Sequence, residues 1–432
     1  MRWLLGVVGV AGALVCAACG SASSSVTRWS PHDGKKLLVG SYYYQWFPQN
    51  LQEGTLRAHL IPPQGPDPAT DVSADPATAA RAITQANQAG VNFFALDWWP
   101  QTPNWAGRPL AERQTDDANT AAFLQAPNIS TIKFCMLYET YALDFNAGNE
   151  STPVTPAMEK RFDADMLHFA ATYFNNPSYL RVHGRPVVVL YLTRTLTGDV
   201  TQMMAGARSL LAAHGYNPYF IGDEIYWRVT DQNLPGTGSP LTTQPQATRI
   251  EAFDAITSYT LYYGDNLPSL GPTKDFIGYP GKTTIAADEV SLMNKYSAAT
   301  GGKVPVIPDV TPGFNDRGVR LSINHPAQPR EWLPGDGPAS TLDNLFRKVA
   351  VPTVDAQAPM IFVTAWNEWN EDSGVEPVPG VATSTDDSPT GKEYTQGYTY
   401  GGEGDSALKV LRKDIDCAKD LAACKTDPPG TG

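Results

Sequence analysis

Short apolar runs alternate with longer stretches of helical periodicity from residue 37 to residue 416. The runs at 37–46, 92–99, 131–139, 185–193, 219–226, 255–262, 304–310 and 360–366 predict eight β-strands. Helical spacing occupies 75–89, 116–126, 156–175, 199–214, 248–253, 284–299, 340–350 and 405–416. Asp75-Pro76 and Thr155-Pro156 have the form of an N-cap followed by a first-turn proline. Gly90 and Gly215 stand where helices end in a left-handed residue. The stretch 248–253 is the weakest unit, being little more than one turn. Eight strand–helix units predict an α/β fold, a (β/α)8 TIM barrel with long βα loops. A doubly wound open sheet is the alternative, but no glycine-rich phosphate loop follows the first strand. The loops at 47–74, 99–115, 227–247, 311–339 and 372–403 would build the ligand-binding face of a barrel.

The 432 residues are 42% hydrophobic, 10% aromatic and only 18% charged. The formal net charge of −12 comes with no basic cluster, which argues against nucleic acid as a partner. The start, "MRWLLGVVGVAGALVCAACGSASSS", has an Arg2 n-region and an apolar stretch too short to read as a spanning helix. Residues 1–18 therefore read as a signal peptide. Ala17-Ala18-Cys19-Gly20 resembles a bacterial lipoprotein site, with Cys19 as the lipidated residue; Cys16 stands where that motif usually carries leucine. The expected organisation is a flexible tether at 19–35, a catalytic barrel at 36–424 and a disordered tail at 425–432. The expected location is outside the cytoplasm, lipid-anchored to the cell membrane through Cys19 or secreted. Cys135, in a strand-like run, reads as a buried inert thiol. Cys417 and Cys424 are expected to form a disulfide, since an exported chain permits one. Seven residues of unbroken helix would hold their Cα atoms roughly 10 Å apart, beyond disulfide reach, so the helix must break between them.

Polar and aromatic residues gather where the strands end. The first ends in Tyr44 and Trp46, the second in Asp97, Trp98 and Trp99, the third in Glu139 and the fourth in Tyr191. Glu224 ends the fifth, Tyr259 lies on the sixth, and Asn315, Asp316 and Arg317 follow the seventh. The eighth runs into "FVTAWNEWNEDSGVEP", with Trp366, Asn367, Glu368, Trp369, Glu371 and Glu376. Chain exits are polar in any fold, but eight ends rich in acids and aromatic rings point to a cleft. Trp46, Trp98, Trp99, Tyr191 and Trp369 are expected to present ring faces to sugar C–H groups. Glu376 is equally readable as a solvated loop acid.

Glu368 and Glu371 are three apart, so a straight strand would aim them to opposite faces. A turn past the strand end can bring both into one cleft. Two carboxylates, one protonated and one ionised, are the equipment for cleaving a glycosidic bond. The six histidines form no HExxH or His/Cys cluster, and Asp163–Asp165 reads as a solvated helix face. Neither a metal nor another cofactor is expected, and no G-x-S-x-G elbow is present.

"TAWNEWNEDSGVEP" resembles the "NEWHEGxxIEP" signature of glycoside hydrolase family 99, the endo-α-mannosidases and endo-α-mannanases. "YYYQWF", "FFALDWWP", "GRPVVVLY" and "VTPGFNDRGVR" resemble that family's other blocks in order, so the likeness spans roughly residues 37–377. WbsX-like proteins of polysaccharide gene clusters and some α-glucanases share the signature. The resemblance implies a (β/α)8 barrel and retaining endo-hydrolysis through a 1,2-anhydro sugar. It implies Glu368 as the base on the sugar 2-hydroxyl and Glu371 as the acid/base. Tyr44, Trp46, Asp97, Trp98, Trp99, Glu139, Tyr191, Glu224, Tyr259, Arg317, Trp366, Asn367 and Trp369 are the expected substrate contacts. Asn370 stands where the family usually has histidine, and Asp372-Ser373-Gly374 replaces its more regular turn. The expected partner is an α-linked, mannan-like polysaccharide. A non-catalytic glycan-binding lipoprotein is the alternative, as is a hydrolase of α-glucan or another glycan. A two-lobed solute-binding protein fits a single run of eight units poorly, and a transferase would need an activated donor.

Overall fold

The computed structural model describes residues 26–48, 69–100, 110–143, 151–224, 245–259, 278–317, 327–379 and 403–420. Eight parallel strands form its centre: β1 Leu38–Tyr43, β2 Phe93–Trp98, β3 Lys133–Tyr138, β4 Arg185–Leu190, β5 Tyr219–Asp223, β6 Ala255–Thr257, β7 Asp309–Val310 and β8 Met360–Val363. Each pairs in parallel with its successor from β1 to β6, while β8 lies between β7 and β1. The ring closes just before β7, where Ile256 of β6 takes a carbonyl from Pro305 and gives its own to Ile307. That closure excludes the open doubly wound sheet.

Helices follow the strands in turn: α1 Pro76–Ala89, α2 Leu110–Leu124, α3 Pro156–Thr172, α4 Val200–Ala213, α5 Ala247–Ile250, α6 Ile285–Ala299, α7 Ser340–Leu345 and α8 Ser406–Lys419. Asp75 caps α1 through the Ala77 amide, and Thr155 caps α3 through that of Met158. Gly90 ends α1 at φ 83°, a conformation open to a residue without Cβ. The weak unit is a single turn, α5, as its length in the sequence foretold.

Strand alternation divides the side chains between the barrel axis and the helix layer. Phe93 points to the axis, where its ring meets Phe362 edge to face at 5.4 Å. It fills the space beside Gly40, where a Cβ would come within 2.1 Å of the ring. Tyr42 stacks on Phe362 at 5.0 Å, completing an aromatic plug. Below this plug the chain enters the domain. The Trp29 amide donates to Val354, Arg28 bridges Asp355, and Trp29 Nε1 donates to Lys35. Arg28 and Trp29 are thus held at the N-terminal end of the barrel, inside the stretch 19–35 expected to be a tether. The backbone pairing of Arg28 and Trp29 with Val354 and Asp355, together with the buried Trp29 ring, fixes this end of the run.

Cys135 is buried and free, and burial pushes its thiol well above the usual range. Cys417 is disulfide-bonded, and α8 ends at Lys419 with Asp420 extended. Cys424 and Cys19, the expected disulfide and lipidation residues, lie outside the described residues. So do the signal peptide and tail.

On α8, Asp414 lies beneath the helix with its side chain fully covered. Burial first, and then the Asp343 charge, pushes its carboxyl up to about 8. The folded-state value is raised above the unfolded one. The folded chain therefore holds the proton more tightly, and stability is lost as pH rises toward 8. Asp414→Asn is expected to remove that loss. In urea titrations at pH 5 and pH 8, the variant should gain on the wild type by up to about 1.4 kcal/mol per pH unit. Equal gains at both pH values would contradict the assignment.

Candidate active site

Past Val363 the chain neither continues the strand nor leaves into solvent. The Trp366 amide donates to Tyr42 at 2.7 Å, extending the β1–β8 pairing. Asn367 then substitutes its side chain for backbone. Its Oδ1 accepts from the Tyr44 amide at 2.8 Å and its Nδ2 donates to the Tyr44 carbonyl at 2.9 Å. The segment folds back at once. Ala365 donates to Ser373, Ser373 to Glu368, and Val375 to Ala365 and Trp366. The reversal runs through Asp372, at φ 52°, a left-handed position that aspartate tolerates better than most side chains. Trp369 lies wholly buried under this turn, donating to Glu376 Oε1 at 2.5 Å. Gly374 lies flat on the indole, where a Cβ would come within 2.7 Å. The loop after β7 supports the same turn, with the Asn315 amide donating to the Glu371 carbonyl at 2.7 Å.

Glu368 and Glu371 therefore sit on a closed turn rather than on a strand, which frees them from the alternation rule. Glu368 is 4% exposed, and its Oε1 accepts from the Asn370 amide at 2.9 Å. Both charges act on the buried Tyr259. Burial first, then Glu371 and then Glu368, hold its phenol well above the usual range. The Tyr44 hydroxyl donates to that of Tyr259 at 2.9 Å. Burial, Tyr259, and then Glu368, Glu139 and Asp97 raise Tyr44 in turn. Trp46 stacks on Tyr44 at 4.4 Å, and Tyr191 meets Tyr259 edge-on at 5.4 Å. The ends of β1, β2, β3, β4, β6 and β8 thus converge on one acidic, aromatic centre at the C-terminal mouth of the barrel. Trp46, Trp99 and Tyr191 are only partly buried, so their rings still offer surface there. Trp99 is oriented by its Nε1 on Asp97 Oδ2 at 2.9 Å and its amide on Asp116. Arg317 is buried beside the turn, its amide on Asn315 Oδ1.

Five of the expected substrate contacts are buried against, or bonded to, other parts of the protein. Trp98 alternates with Asp97 and so faces the helix layer, donating to Asp117 and packing on Phe169 and Tyr138. Trp366 is fully buried against Phe94. Trp369 has both faces occupied under the turn. Asn367 spends its amide group on the Tyr44 backbone. Glu224 is wholly buried and engaged by Arg249 through two hydrogen bonds, of 2.9 and 2.7 Å. The three indoles are covered by neighbours, and Asn367 and Glu224 are engaged by the Tyr44 backbone and by Arg249. Glu376 is no simple loop acid either, since it holds the Trp369 indole. Asp165 of α3 accepts from the Tyr138 hydroxyl at 2.8 Å rather than facing solvent.

Sequence reasoning also missed residues. Tyr141, two positions past Glu139, meets Trp99 edge-on at 6.4 Å. Arg330 reaches the turn from a loop in which it is one charge among several. Only spacing from Glu139 could have suggested the first, and no local signal marks the second.

Residues 105–383 match the family described as glycosyltransferase WbsX, which is well over half of the chain. The chain belongs to the WbsX family. The folds it resembles are hydrolases by description. A family 99 endo-α-mannosidase from Bacteroides thetaiotaomicron, in complex with bis-tris propane, superposes with a TM-score of 0.57 at 17% identity, covering 90% of this chain and 99% of that one. A second structure of the endo-α-mannosidase from Bacteroides thetaiotaomicron gives 0.55 at 16% identity over 89% and 98%. A structure described as a glycoside hydrolase-like protein gives 0.60 at 16% identity over 90% and 99%. No curated protein matches the sequence. At these identities the likeness establishes a barrel of the family 99 type, and the WbsX chain's chemistry rests on its own residues.

Proposed function

We propose that this WbsX-family protein is an endo-acting glycoside hydrolase that cleaves an α-linked polysaccharide with retention. The observation that carries the reading is the folded turn, which bears both Glu368 and Glu371 near enough to Tyr259 for each charge to act on its phenol at the mouth of the barrel. Glu368 takes the proton of a sugar 2-hydroxyl as that oxygen bonds to its own anomeric carbon. Glu371 gives its proton to the departing glycosidic oxygen, so the bond breaks to a 1,2-anhydro sugar. Glu371, now ionised, accepts a proton from the water that attacks the anomeric carbon. Glu368 returns its proton to the 2-oxygen as the three-membered ring opens. Trp46, Trp99 and Tyr191 offer partly exposed rings on which sugar faces can stack. The family resemblance favours a mannan-like substrate. Export, with a lipid anchor on Cys19, would place the protein where such polymers lie.

The family's description as a glycosyltransferase favours a second reading, transfer of a glycosyl unit to a sugar acceptor. Incubation with α-mannans, α-glucans and arabinans, followed by NMR of the product anomers, separates the two. Hydrolysis releases new reducing ends with the original configuration. Transfer lengthens chains without net release. Inertness toward every polymer, with binding retained, would replace both by a glycan-binding role.

A further inference from the structure

Arg330 is 4% exposed, yet it carries a full charge into the interior beneath the candidate catalytic turn. The loop after β7 delivers it. Phe314 and Gln328 pair across that loop, and Thr341 at the start of α7 donates to the Arg330 carbonyl. The side chain then crosses Gly313, where any Cβ would come within 2.6 Å of Arg330 Cγ. Nη1 donates to the Asp372 carbonyl at 2.7 Å, and Nη2 donates to the Gly374 carbonyl at 2.7 Å and to Glu403 Oε2 at 2.5 Å. Nε faces the other Glu403 oxygen. The guanidinium lies 5.7 Å from the centroid of the Trp369 ring. Glu403 itself is fixed by the Val378–Gly404 bridge just before α8.

A buried ion pair gains little stability over apolar side chains of the same size. The geometry of this one gives it another use. A planar fork can hold two turn carbonyls and a carboxylate together, which a lysine ammonium cannot do. Both carbonyls lie within three residues after Glu371.

We propose that Arg330 is a positioning residue for the carboxylate pair, fixing Glu371 relative to Glu368 through the Asp372 and Gly374 carbonyls, with Glu403 holding the guanidinium in place. The proposal rests on the hydrolase reading for its kinetic consequence, and on the structure alone for the clamp. Misplacement of a general acid costs most when the leaving group needs its proton.

The test compares Arg330→Lys and Glu403→Gln with wild type on the best polysaccharide of the panel above and on a dinitrophenyl glycoside of the same sugar. Arg330→Lys should lose roughly 10- to 100-fold in kcat on the polysaccharide, with KM within about threefold, the scale of a misplacement near 1 Å. It should lose far less on the dinitrophenyl glycoside. Glu403→Gln, which keeps the side-chain volume, should show the same pattern more weakly and stands in if Arg330→Lys does not fold. Arg347→Ala, in the helix layer, should match wild type on both substrates. Equal losses on both substrates, or kcat within threefold on both, would overturn the proposal. Amide hydrogen exchange across residues 366–376 reads the clamp without substrate: it should speed up in Arg330→Lys, and unchanged protection would overturn the clamp. A wild type inert toward all glycans would sink the hydrolase reading, and the exchange result would still decide the clamp.

Discussion

Glu371→Gln is expected to slow cleavage of the natural polysaccharide by roughly 10²- to 10⁴-fold, the usual weight of general acid–base catalysis. An aryl glycoside with an acidic leaving group needs no proton at bond cleavage, so it should recover much of its rate in this variant. Glu368→Gln should stay slow on both substrates, because activation of the 2-hydroxyl is required whatever departs. A 2-deoxy substrate should be inert even to wild type. Pre-steady-state release of the phenol from two variants and two leaving groups is the measurement. Rescue of Glu368→Gln alone would exchange the two roles. Losses under about threefold in both variants would make the carboxylates structural, and the Asn370–Glu368 bond would then be only part of a turn.

Arg249→Met is expected to destabilise the folded protein by about 3–5 kcal/mol, the cost of stranding a buried partner charge. Glu224 is fully covered, and both its oxygens depend on Arg249. Thr193 offers it one further hydroxyl at 3.3 Å, which cannot balance a charge. The double variant Arg249→Met/Glu224→Gln removes both charges and should recover most of the loss, since a neutral amide at that site costs far less than an unpaired carboxylate. Guanidinium chloride unfolding of the three proteins at one pH decides the matter. A single variant within 1 kcal/mol of wild type would mean that water or another group reaches Glu224 when Arg249 is gone.

Residue pattern by itself pointed to eight strand–helix units, with caps at Asp75 and Thr155 marking where helices begin; the closure at β6 and β7 then decided for the barrel over the open sheet. It also determined that Glu368 and Glu371 stand at a strand end, because a switch from apolar to acidic residues is a local signal. What pattern could not supply was direction. Whether an aromatic ring at a strand end faces a cleft or a helix depends on alternation and on the neighbour that meets it. Trp98 and Trp99 are adjacent in sequence, yet one packs on Phe169 and the other keeps surface at the mouth. Pairing was equally out of reach. Glu224 finds Arg249, 25 residues on, and Arg330 finds Glu403, 73 residues on, because the closed ring brings together loops that the chain keeps apart. The turn that carries both glutamates is decided the same way: Asn315 grips it from another loop, Tyr44 pins Asn367 from the end of β1, and the buried Trp369 indole lies beneath it. Such contacts follow from distance in space, which a linear pattern of apolar and polar positions does not encode.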